Sequence, residues 1–147
     1  MASTSRHSRL TTACASGLFG ASLRIGWPAK NCMVSTVRVD SAEGEFLAWG
    51  AYSPDSKIRV RAWSFDPAQR IDAAFFRDAL ARALALRERL AIASDGVRLV
   101  HGESDGVPGL IVDRYGDTLV AQFTACGVER HKQVIADALI ELTGCPR

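Results

Sequence analysis

No acidic residue occurs before Asp40 in this chain of 147 residues, although Arg6, Arg9, Arg24, Lys30 and Arg38 all fall in that stretch. Removing those five from the 18 Lys and Arg leaves 13 against all 16 acids, so residues 40–147 carry a net charge of −3. The overall +2 therefore belongs to the N-terminal segment. Long apolar runs are also lacking: none approaches the roughly 20 residues that span a bilayer. Cys14, Cys32, Cys126 and Cys145 stand far apart, with no CxxC pair and no histidine at metal-ligand spacing. Neither a zinc site nor a disulfide framework is indicated, and a reducing, cytoplasmic compartment is the default. The motifs GxxxxGK[ST] and HExxH do not occur. Hydrophobic residues make up 48%, enough for a core of ordinary domain size.

Residues 1–36 are rich in Ser, Thr, Ala and Arg and follow no sustained strand or helix period. That composition fits an organellar transit peptide, a flexible basic tail, or a shifted or replaced start of a domain. Gly17, Gly20 and Gly26 do not form a GxGxxG phosphate loop, so no dinucleotide site is read there.

From Val37 the pattern sharpens. Val37 and Val39 alternate with polar residues, Ala42-Glu43-Gly44 offers a turn, and Phe46-Leu47-Ala48-Trp49 resumes a strand. KIRVRAWSF then alternates cleanly. Ile58, Val60 and Ala62 fall on one face, and Lys57, Arg59, Arg61, Trp63 and Phe65 on the other. Three cations and two aromatics along one strand suit a phosphate backbone with stacked bases. A solvated face that guards a sheet edge uses the same residue types. Next comes a helix, with Asp72 as N-cap, Phe76, Leu80, Ala83, Leu84 and Leu90 as apolar stripe, and Ser94-Asp95-Gly96 as stop. Arg77, Arg82, Arg87 and Arg89 spread around its polar side.

VRLVHG reads as a strand and leads into the densest stretch of the chain, HGESDGVPGLIVDRYGD, His101–Asp117. Ser104-Asp105-Gly106 and Pro108-Gly109 have turn chemistry, Leu110-Ile111-Val112 reads as a buried strand, and Gly116-Asp117 suits a type II′ hairpin. DTLVAQFTA is another strand. VERHKQVIADALIELTG follows as one amphipathic helix, with Val134, Ile135, Ala138, Leu139 and Leu142 on its apolar face and Gly144 at its end. His101, Glu103 and Asp105 lie close enough in sequence for an acid/base or metal cluster, but a hairpin supplies no further ligand at fixed spacing. Nothing around Cys126 argues for an activated thiolate.

Three blocks in this order resemble the RlmI-like family of S-adenosylmethionine-dependent 23S rRNA cytosine-5 methyltransferases. They are FLAWGAYSPDSKIRVRAWSFD, the helix IDAAFFRDALARALALRERL, and RLVHGESDGVPGLIVDRYGDTLVAQF. The resemblance runs from about Val37 to Arg147. It implies an α+β chain: the remnant of a PUA-like β-barrel over 37–70, a connecting helix over 71–94, and the start of a strand-strand-strand-helix central domain over 95–147. Residues 1–36 stay unassigned, because the R-x-H-P-W stretch of the family is absent. The family's Rossmann-like domain, with its cofactor glycines and catalytic cysteine, is expected beyond Arg147. No catalytic residue, metal or cofactor is therefore assigned to this chain, and S-adenosylmethionine is implied only for a full-length member. The resemblance points to ribosomal RNA as partner, with Lys57, Arg59, Arg61 and Trp63 as candidate contacts. Glu103, Asp105, Asp113 and Arg114 become candidate cleft-facing residues. A free-standing RNA- or partner-binding module is the competing reading, and the oligomeric state, homodimer included, stays open.

Overall fold

The structure is a computed structural model that describes residues 21–24, 35–54 and 56–145. Readings that fall on residues 1–20, 25–34, 55 and 146–147 lie outside the described residues, among them those on the N-terminal glycines, Cys14 and Cys32. The chain is mixed α/β and divides into two compact units, Met1–Pro67 and Ala68–Arg147.

The first unit is an antiparallel meander in the order β1 (Ala21–Arg24), β2 (Ser35–Ser41), β3 (Phe46–Tyr52), β4 (Val60–Ser64). β1 falls inside the segment that shows no strand period in sequence. Its order comes from pairing, with Leu23 opposite Val39 and Arg24 opposite Arg38. The β2–β3 turn forms as its residues predict. Ser41 Oγ accepts from the backbone N–H groups of Glu43 and Glu45, and Gly44 takes φ +95°. Val37, Ala48, Ala51 and Trp63 are buried. β3 and β4 approach so closely at Gly50 that a Cβ there would sit 2.6 Å from Val60 Cγ1 and 2.9 Å from the Arg61 carbonyl oxygen.

The second unit packs helices on a three-stranded antiparallel sheet. α1 spans Ala73–Leu90, and a sheet of order β5 (Gly96–His101), β6 (Leu110–Tyr115), β7 (Thr118–Phe123) follows. Asp72 is the N-cap, its carboxylate accepting from Phe75 N–H at 3.1 Å. The buried face of α1 is Phe75, Phe76, Ala79, Leu80 and Ala83. Leu90, expected in the stripe, is exposed because α1 ends there. Ala91 closes the helix in the left-handed region at φ +46°, so the stop comes before Ser94-Asp95-Gly96. The expected single C-terminal helix is two, α2 (Cys126–Arg130) and α3 (Lys132–Thr143), broken at His131. His131 lies against the Phe76 ring, with 4.6 Å between centroids, so a side-chain contact fixes the break. Gly144 caps α3 at φ +66°.

Between β5 and β6 runs a 3₁₀ turn, Gly102–Asp105, where a plain turn was expected. Gly106 and Gly109 have φ of +74° and +85°. Gly109 also passes against Ala125, 2.4 Å from where its Cβ would be, so this position needs glycine on both counts. Gly116 has φ +58° while Asp117 keeps negative φ, the sign pattern of a type II′ hairpin. Val107, Leu110 and Val112 join Val97, Leu99, Val100, Val128, Ile135 and Leu139 in the core.

Candidate functional site

The basic strand of the first unit differs from its sequence reading in a specific way. Alternation places Trp63 beside the cations on an outer face; the structure buries it, 6% exposed. The cause is a bulge. Gly50 pairs with Ala62 and Trp49 with Ser64, so Trp63 is the extra residue of the bulged strand. Ile58, expected inward, is half exposed, because β4 begins only at Val60. Lys57 and Arg59 are exposed on the approach to β4, and Arg61 is half-buried opposite Ala51. Of the four candidate RNA contacts, Lys57 and Arg59 present charge to solvent, Arg61 does so in part, and Trp63 serves the core. Phe65 is the exposed aromatic of this strand end.

In the second unit two acids of the His101–Asp117 stretch, Asp105 and Asp113, pair with arginines. Asp105 receives both terminal nitrogens of Arg87, at 2.6 and 2.7 Å, and the His101 backbone N–H at 2.6 Å. Arg87 also donates from Nε to the Arg98 carbonyl oxygen at 3.1 Å. A single guanidinium thus ties α1 to β5 and to the 3₁₀ turn. The pair is largely buried, with 13% of the arginine and 4% of the aspartate side chain exposed. Burial is the largest influence on Asp105 and pushes its pKa up. The Arg87 hydrogen bonds, the His101 N–H and the charges of Arg87 and His101 together outweigh it, leaving Asp105 below the ordinary carboxylate value.

Asp113 pairs in the same bidentate manner with Arg98, at 2.8 and 3.0 Å. The Arg98 hydrogen bonds hold its pKa down against burial, with help from the charges of Arg98 and His101. The His101 ring does not meet Asp105; its Nδ1 lies 3.5 Å from Arg98 Nη1. The acid/base or metal cluster of His101, Glu103 and Asp105 does not assemble, since the Asp105 carboxylate is turned inward to Arg87. Among the described residues no group of three His, Cys, Asp or Glu could hold a metal ion. Cys126 is exposed and Cys145 buried, both as free thiols.

Arg114 stands apart from Asp113 on the other side of β6 and lines a cleft of about 260 Å³. Leu84, Glu88, Ile92, Leu99 and Leu142 line it as well. Of the four candidate cleft-facing residues, Arg114 alone reaches this cleft, and Glu103 is exposed on the 3₁₀ turn. Arg87 and Arg98 are the residues that sequence reasoning passed over. Their partners lie 18 and 15 positions away, beyond any local spacing rule.

Comparison with known proteins gives this geometry a context. Residues 34–65 match the family model of a PUA-like domain. The chain is 47% identical over 113 residues to the ribosomal RNA large subunit methyltransferase I of Photobacterium profundum, a match covering 75% of this chain and 28% of that protein. Against the protein of that name from Shigella boydii it is 43% identical over 112 residues, 75% and 28% covered. Against that from Aliivibrio fischeri it is 45% identical over 108 residues, 72% and 27% covered. The chain thus spans a little over a quarter of the length of these curated relatives. Among solved structures, a methyltransferase in complex with SAH superposes with a TM-score of 0.67 at 18% identity, covering 76% of this chain and 30% of the other. A SAM-dependent methyltransferase from Streptococcus mutans does so with 0.68 at 19%, covering 80% and 32%. These two show a shared fold. No helix among the described residues is long and apolar enough to cross a membrane. Three quarters of its residues thus align at 43–47% identity to proteins named ribosomal RNA large subunit methyltransferase I, which the chain resembles over a little more than a quarter of their length.

Proposed function

We propose that this chain is the RNA-holding and substrate-positioning portion of a 23S rRNA cytosine-5 methyltransferase acting in the cytoplasm. The observation that carries the reading is the continuous match to rRNA methyltransferases, with the PUA-like segment at 34–65 inside it. Physical support comes from the exposure of Lys57 and Arg59, whose charges are placed to displace counterions from a phosphate backbone. In this reading the first unit is part of a PUA-like barrel and holds RNA, while the second is a scaffold stiffened by buried ion pairs.

The methyl donor of such an enzyme is S-adenosylmethionine. The cleft beside Arg114 does not fit it, because no glycine is among the residues that line it. No step is therefore derived through the cofactor here, and no residue of this chain is given a catalytic role.

The test is RNA affinity measured against salt concentration. Wild type should lose affinity as salt rises, and a Lys57/Arg59/Arg61 triple alanine variant should show a shallower slope, by about 0.7 per phosphate contact removed on a single strand. An unchanged slope would take this strand out of the interface. The competing reading, a free-standing binding module, predicts the same slope; translating the flanking DNA separates the two. A methyltransferase domain encoded in frame supports the enzyme, and none supports the module.

A further inference from the structure

The outer face of the β5–β6–β7 sheet has no role in the reading above. Strand register puts Gly96, Arg98 and His101 of β5 on it, beside Tyr115, Asp113 and Ile111 of β6 and Thr118, Val120 and Gln122 of β7. Simple alternation from Arg98 would have put Val100 outside and His101 inside. The register slips between Arg98 and Val100, leaving Leu99 as an extra residue. Leu99 and Val100 are both buried, and His101 is returned to the outer face with Arg98.

Three planar side chains result in a row. The Tyr115 ring lies against Gly96, where a Cβ would come within 3.3 Å of two ring carbons, and it is 58% exposed. Next along β5 comes Arg98, its guanidinium held by both Asp113 oxygens and its side chain 46% exposed. Last comes the exposed His101 ring, 3.5 Å from Arg98 Nη1. The Asp113 carboxylate is matched by Arg98, so little net negative charge remains to repel a polyanion. Flat, exposed π surfaces fixed on a rigid sheet are what unstacked bases require, and a guanidinium plane serves as well as an aromatic ring.

We infer that this face binds single-stranded RNA, stacking bases on Tyr115, Arg98 and His101. The inference rests on the RNA-binding reading but assigns a second surface with a different chemistry. Stacking contributes affinity with little salt dependence, whereas the Lys57–Arg61 strand contributes charge.

The experiment is fluorescence anisotropy with the full chain. Its probes are a single-stranded RNA of about 12 nucleotides and the duplex of the same sequence. Tyr115→Ala should weaken single-strand binding by about tenfold, leave the salt slope unchanged and leave duplex binding as in wild type. Tyr115→Phe should bind as wild type, because the ring remains. Gly96→Val, which pushes the ring off its seat, should reproduce the loss. Unchanged single-strand affinity in Tyr115→Ala overturns the inference. If the triple alanine variant loses its slope in the same assay, the proposed function nevertheless stands. Equal weakening on duplex and single strand also overturns it. A change of oligomeric state without a change in RNA affinity would make the face a contact between copies, and overturns it as well. Wild type that binds neither probe defeats both readings.

Discussion

Arg87 of the second unit and Arg59 of the first use the same side chain in opposite ways. In the second, Arg87 is buried against Asp105 and joins a helix, a strand and a turn. In the first, Arg59 stands in solvent with Lys57 beside it. Burial makes the difference. A guanidinium removed from water needs its donors matched, so Arg87 is committed to the fold. An exposed one keeps its hydration and stays available to a ligand. The cores differ in parallel. The described core of the first unit centres on Val37, Ala48, Ala51 and Trp63, whereas the second interleaves Phe76, Leu80, Leu110, Val112, Ile135 and Leu139 between helix and sheet.

The severest break in this contrast is Asp105→Ala, which leaves the largely buried Arg87 without its partner. Loss of a buried ion-pair partner costs about 3–5 kcal/mol, so urea unfolding of the second unit should shift by that order. A midpoint close to wild type would mean that Arg87 finds water instead. The same pair sets a pH response. The Asp105 and Asp113 carboxylates both lie below their ordinary value of 3.8. Their contribution is therefore complete above that pH and is lost as the pH falls through the lower folded-state values. Asp105→Asn, already less stable at neutral pH, should show a flatter acid limb in a melting-temperature series between about pH 5 and 2.

Smaller effects sharpen the comparison. Hydrogen exchange should be slower across residues 97–112 than across 46–64, because buried apolar area around the first ladder is less; uniform protection would contradict the asymmetry. Asp72→Ala removes the α1 cap and should cost about 1 kcal/mol in chemical denaturation. Smallest of all, Lys57→Ala with Arg59→Ala should stay within about 0.5 kcal/mol of wild type in stability. A larger loss would show that these side chains serve the fold.

Legibility followed the range of the cause. Asp72 as cap, Gly144 as stop, the Gly116-Asp117 hairpin and the apolar face of α3 are decided within a few residues, and they were readable. The end of α1 was not, because Ala91 closes the helix in a conformation that its residue type disfavours. Trp63 was misplaced because it lies in a bulge, and a one-residue slip moves a side chain to the other face. Period-2 reasoning has no means of locating such a slip.

By itself the sequence determined most of the elements from Val37 onward, their order, the turn glycines and the resemblance to rRNA methyltransferases, since these depend on local backbone preference and on motif text. Only the tertiary structure decided which arginines are committed and which are available. It also decided that Trp63 faces inward, and that Tyr115, Arg98 and His101 share one surface. Those outcomes depend on contacts between residues distant in the chain and on bulges that reset strand parity. Neither leaves a periodic trace in the residues that carry it.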